Sequence, residues 1–145
     1  MNNAEKKLFG TVAIIGIGLI GSSIARGIKK YNIANKVVGY AKTLKTRKKA
    51  MDLGYMDQVF DSASDAIQNA NLVILCVPVG ANRDIMIEIS DNLSEGTILT
   101  DVGSVKAEVI KQLHDIVPDR VSFVPAHPIA GTEFSGPESG FAELF

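Results

Sequence analysis

Three clusters in this 145-residue sequence have the residue types and spacing to do chemistry. The first is Gly16-Ile-Gly18-Leu19-Ile20-Gly21. A glycine at the first position permits a tight turn, one at the second lets backbone approach a pyrophosphate, and one at the third lets a helix pack close to a strand. The N–H groups that open such a helix then face the anion. Glycines also punctuate ordinary turns, so the pattern gains weight only where it follows a strand and opens a helix. The second cluster is Asp101-Val-Gly-Ser104-Val-Lys106, which sets a hydroxyl and a cation at a strand-to-helix junction. Ser104 also suits a helix N-cap, although position 107 is alanine and Glu108 falls one residue late for a capping box. The third is His127, between Ala126 and Pro128. A neutral imidazole can accept a proton from an alcohol as hydride leaves, a step worth roughly 10²–10⁴-fold. An isolated histidine is also commonly structural.

A fourth feature bears on which dinucleotide is bound. An NAD site normally has an acid about 20 residues beyond the glycines, to hold the ribose 2′-hydroxyl. Ala41 stands there, followed by Lys42, Thr43, Lys45, Arg47, Lys48 and Lys49. Loss of the acid removes repulsion of a 2′-phosphate, and Lys42, Thr43 and Arg47 are placed to meet one, so NADP is ranked ahead of NAD. The competing reading makes the lysines a solvated helix face. Cys76 reads as a small core residue within a strand, His114 as a surface residue, and Lys29-Lys30 as partners of a helix C-terminus. No metal site is expected.

The elements that must position these residues alternate along the chain. Thr11–Ile15 reads as a buried strand and Ile20–Tyr31 as a helix with Ile20, Ile24 and Ile28 on one face. Strands follow at Lys36–Tyr40, Gln58–Phe60, Leu72–Val77, Thr97–Thr100 and Val121–Val124. Helical patterns separate them at Leu44–Leu53, closed by Gly54, then at Ser64–Asn69, Ala81–Asn92 and Val105–Ile116. Such alternation predicts an α/β fold: a doubly wound parallel sheet of Rossmann type, with ligands at the carboxyl edge of the strands. Residues 1–125 form the expected dinucleotide-binding unit. Residues 126–145 lack a period and read as a loop of the kind that often carries chemistry.

Composition narrows the class. With 46% apolar and 21% charged residues the chain is globular rather than disordered, and its single cysteine excludes a disulfide framework, which points to the cytoplasm. Residues 1–51 carry 11 Lys/Arg against one acid, and the remainder 4 against 15, so the near-zero net charge hides a basic N-terminal third. Its cations are dispersed over several elements, and no nucleic-acid partner is expected. Lys6-Lys7 and the apolar run to Gly21 superficially resemble a signal peptide. The run is too short to cross a bilayer, so no membrane partner is expected either.

Taken in order, Val12 to Ala25, Ile74 to Val79, Thr100 to Lys106, Pro125 to Glu133 and Ser135 to Glu138 resemble the prephenate/arogenate dehydrogenases of tyrosine biosynthesis. The resemblance implies NAD(P)-dependent oxidative decarboxylation of a cyclohexadienyl acid, prephenate or arogenate. It implies that His127 is the base on the ring hydroxyl, that Ser104 positions that hydroxyl, and that Glu133 assists substrate access. Val77, Pro78 and Val79 would wall the cofactor. The family also has a helical C-terminal half that forms the homodimer and binds the substrate carboxylates. No counterpart of that half is expected within these 145 residues, so this chain alone is expected to bind cofactor and turn over poorly or not at all. Other short Rossmann reductases, of the 3-hydroxyacid dehydrogenase or pyrroline-carboxylate reductase type, would not be expected to carry the His127-Pro-Ile-Ala-Gly run. A non-catalytic NAD(P)-sensing module would have no need for Ser104 and His127.

Overall fold

A computed structural model describes residues 6–145. The first five residues of the expected 1–125 unit lie outside the described residues. Six strands form one parallel sheet: β1 (Phe9–Ile15), β2 (Ala34–Tyr40), β3 (Gln58–Phe60), β4 (Leu72–Leu75), β5 (Ile98–Asp101) and β6 (Ser122–Val124). Their spatial order is β3-β2-β1-β4-β5-β6, which is the doubly wound arrangement with its switch point between β1 and β4. The connecting helices are α1 (Leu19–Lys30), α2 (Leu44–Asp52), α3 (Ala63–Ala66), α4 (Asn82–Ile89) and α5 (Lys106–Leu113).

The strands are apolar on both faces because helices cover both. Along β1, Val12 and Ile14 enter the core under α1 and α2, with Ala25, Ile28 and Ala50. Ala13 and Ile15 enter the opposite core, with Ala66 of α3, Met86 of α4 and Val109 of α5. The two-residue alternation of a strand thus feeds two cores from one run, and all four side chains are fully buried.

Several expected boundaries shift, each for a local reason. β4 ends at Leu75 rather than Val77. The Cys76 N–H still donates to Ile15 O at 2.7 Å, but the chain of β1 turns away at Gly16, and Pro78 has no N–H to continue a ladder. Cys76 therefore sits just past the strand, not within it. The helix expected over Ala81–Asn92 is regular only from Asn82 to Ile89, with a tighter turn at each end. The one expected over Ser64–Asn69 is a single turn begun by the Ser62 side chain, which accepts from Asp65 N, and Asn69 lies beyond it at φ 62°.

Residues 125–145 contain no helix or strand, as the missing period predicts, yet they are tied down. Tyr55 OH donates to Pro137 O at 2.9 Å, Phe141 N donates to Ser23 Oγ at 3.1 Å, and Lys30 pairs with Glu143. The segment therefore straps back over α1. Lys29 and Lys30 do more than face a helix terminus, since Lys29 is also paired, with Asp57.

Candidate functional site

A cleft of about 970 Å³ opens along the carboxyl edge of the sheet, at the switch point where such folds bind ligands. Its floor is the turn between β1 and α1. Gly16 takes φ 101°, and a side chain there would meet Cys76 O at 2.7 Å, so only glycine makes this turn. Gly18 caps α1 with no side-chain bond, the first turn of α1 holds no acid, and a Cβ on Gly18 would find no atom within 4 Å. Uncapped N–H groups therefore face open space, which fits a pyrophosphate laid across the helix N-terminus. Gly21 lies behind this surface rather than in the cleft wall. A Cβ there would sit 2.2 Å from Gly16 O, so its absence lets α1 seat against the turn.

The β2 end supplies the next wall. Ala41, Lys42 and Thr43 line the cleft, and no carboxylate stands where the 2′-hydroxyl would be held. Arg47 does not line it. Its Nη1 donates to Ala41 O at 2.8 Å and Lys42 O at 2.9 Å, so the guanidinium folds back from α2 to fix the loop that carries Lys42. The Thr43 hydroxyl is likewise engaged: it caps α2 by accepting from Thr46 N, and it donates to Thr46 Oγ1 at 2.9 Å.

Leu19, Ile20, Val77, Pro78 and Val79 add apolar lining to the cleft. Cys76 joins them, its thiol pushed up to about 12 by burial and, secondarily, by the negative charge of Asp101. Such a thiol stays protonated and is no nucleophile at neutral pH.

Ser104 and His127 reach the same cleft from different loops, after β5 and after β6. Both are exposed, and among the described residues neither side chain has a hydrogen-bond partner. Ser104 is not the N-cap of α5. That position falls to Val105, without a side-chain bond, which leaves the serine hydroxyl free to meet a ligand. Glu133 is exposed and lies outside the cleft wall. His114 is exposed on the far end of α5, its Nδ1 3.0 Å from Lys111 O. Among the described residues no group of His, Cys, Asp or Glu is arranged to hold a metal ion, and no helix is long and apolar enough to cross a membrane.

Several wall residues escaped the sequence reading. Thr46 is one, overlooked because it follows the cations that drew attention. Asp84 and Glu88, on α4, are two more. Their i, i+4 spacing after a strand was the available signal. Glu88 is already engaged, since its Oε1 accepts from Ala63 N at 2.9 Å and Ser64 N at 3.2 Å at the start of α3.

Comparison with known proteins agrees with this geometry. The family described as "Prephenate dehydrogenase, nucleotide-binding domain" matches residues 24–145. The cyclohexadienyl dehydrogenase of Zymomonas mobilis is 46% identical over 138 residues, covering 95% of this chain and 47% of that protein. The prephenate dehydrogenase of Bacillus subtilis is 32% identical, over 93% of this chain and 37% of that protein. The crystal structure of A. aeolicus prephenate dehydrogenase, in complex with hydroxyphenyl propionate and NAD+, superposes with a TM-score of 0.84 at 34% identity. It covers 99% of this chain and 49% of that one. The chain thus spans about half the length of these relatives, or less.

Proposed function

The chain belongs to the prephenate dehydrogenase family, as its nucleotide-binding domain, and from that premise we propose that it is the NAD(P)-binding half of a cytoplasmic enzyme that oxidatively decarboxylates prephenate, arogenate or both. The observation that carries this reading is convergence. Ser104 and His127, from two separate loops, line the cleft that residues Gly16 to Ile20 of the glycine turn also line. Bound NAD(P) supplies the hydride acceptor. His127 takes the proton of the ring hydroxyl as the carbon bearing it is oxidised, and Ser104 donates or accepts a hydrogen bond that fixes that hydroxyl. Carbon dioxide leaves with aromatisation of the ring, so the protein has mainly to align donor and acceptor and to manage one proton. Val77, Pro78 and Val79 shield the reacting face from water, and Glu133, outside the wall, assists substrate access.

Residues 1–125 serve the cofactor and residues 126–145 carry the histidine loop. The substrate carboxylates are met by basic groups of the helical half that the resemblance implies, which also forms the homodimer. NADP is preferred over NAD in this reading. Ala41 leaves room for the 2′-phosphate, and Lys42, free of the ties that hold Arg47, pairs with it. Assaying the intact enzyme with prephenate and with arogenate, each with NAD and NADP, tests the proposal. Coupled cofactor reduction and carbon dioxide release with at least one substrate is expected, fastest with NADP. Oxidation of neither substrate would refute it.

A further inference from the structure

Asp101, the last residue of β5, is fully buried. A lone buried carboxylate is costly, and it persists where donors surround it. Here the donors come from two separate loops. Oδ2 accepts from Gly103 N at 2.8 Å and from the Lys106 ammonium, and Oδ1 accepts from Ala126 N at 3.2 Å. Gly103 immediately precedes Ser104, and Ala126 immediately precedes His127. One carboxylate therefore grips the backbone one residue before each of the two side chains assigned to the chemistry. Those side chains have no hydrogen bonds of their own among the described residues, so their placement depends on how the backbone beside them is held.

Resting on the proposed roles of Ser104 and His127, we propose that Asp101 is a positioning residue of the reaction: its two oxygens set the spacing of the serine and histidine loops across the cleft. Lys106 neutralises the carboxylate from the first turn of α5 and keeps Oδ2 turned toward Gly103. A second tie between the same strands serves as an internal control. Thr100 Oγ1 donates to Val124 O at 2.7 Å, clamping β5 to β6 without touching Gly103 or Ala126.

In Asp101→Asn the amide NH2 must face at least one of the donors that the carboxylate accepted. In the intact enzyme this variant should lose about a hundredfold in kcat, the scale of misplacing a catalytic group by about 1 Å, with cofactor Kd within about twofold. Thr100→Val should keep kcat within about twofold. The readout that a merely structural clamp would not move is the coupling. If Asp101 acts through the two reactive side chains, adding Asp101→Asn to a variant that already carries both Ser104→Ala and His127→Asn should cost less than about threefold more. Multiplying losses, or a kcat for Asp101→Asn within about threefold of wild type, would overturn the proposal. Should Asp101→Asn fail to fold, Lys106→Gln replaces it, with an expected kcat loss of about tenfold that is again non-additive with Ser104→Ala and His127→Asn combined. An unchanged kcat there overturns it equally. Wild-type enzyme inactive on both substrates would refute the proposed function, and this inference with it. An active wild type with a fully active Asp101→Asn would refute the positioning role alone.

Discussion

The two ends of the cleft are built on opposite principles. At the β1–α1 turn the surface proposed to bind cofactor is backbone: Gly16 and Gly21 matter for the side chains they lack, and α1 begins with no side-chain cap. At the β5 and β6 ends the groups proposed to carry the chemistry are two exposed side chains, Ser104 and His127, on irregular segments gripped by one buried carboxylate. Backbone cradles recognise what all dinucleotides share, whereas side chains on loops select a reaction. Damage to the first end should therefore abolish binding, and damage to the second should spare binding and stop turnover.

Gly21→Val should break this contrast from the cradle side and have the largest effect on binding. Its side chain would collide with Gly16 O, so calorimetry should show cofactor affinity reduced by roughly a hundredfold, with turnover falling in parallel. Ser104→Ala acts at the other end. Turnover should drop roughly thirtyfold while cofactor Kd holds, the value of one hydrogen bond to a developing charge. Lys42→Ala sharpens the cradle's selectivity: NADP should weaken by about fivefold, as for an exposed ion pair, and NAD hardly at all. Equal loss for both cofactors would reassign the lysine to a solvated face.

The smallest effect lies outside the cleft, at Asp57. Burial pushes its carboxyl up, but the bonds from Lys29 and from Val37 N outweigh that and hold it below the ordinary carboxylate range. A folded-state value below the unfolded one stabilises fully above the unfolded value, about 3.9, and that gain is lost as pH falls through the folded value. Asp57→Asn should therefore lower the urea midpoint at neutral pH, and the gap from wild type should shrink as the pH falls below the ordinary carboxylate range. A gap that stays constant with pH would contradict the assignment.

The cradle was legible in the sequence because its requirement is steric. Only glycine tolerates φ 101° at position 16, so the need is written as a residue type. The alternation of strands and helices was legible for a similar reason, since burial on both faces demands unbroken apolar runs such as Val12–Ile15. Ser104 and His127 could be picked out by motif, but their shared cleft follows from β5 and β6 being neighbours, a tertiary fact. Arg47 shows the limit most plainly. Sequence spacing put a cation near the expected phosphate, while the fold turns that guanidinium onto the carbonyls of residues 41 and 42. The strap of residues 125–145 was illegible for a related reason: it is held by separate ties to Tyr55, Ser23, Lys30 and Asp101, and leaves no period to read.

The division between binding and chemistry is tested most directly by measuring cofactor Kd and kcat together on His127→Asn in the intact enzyme. A Kd within about twofold of wild type is expected, with kcat lowered by roughly 10²–10⁴-fold. A kcat that is retained, or a Kd that rises in step with the loss of turnover, would contradict that division.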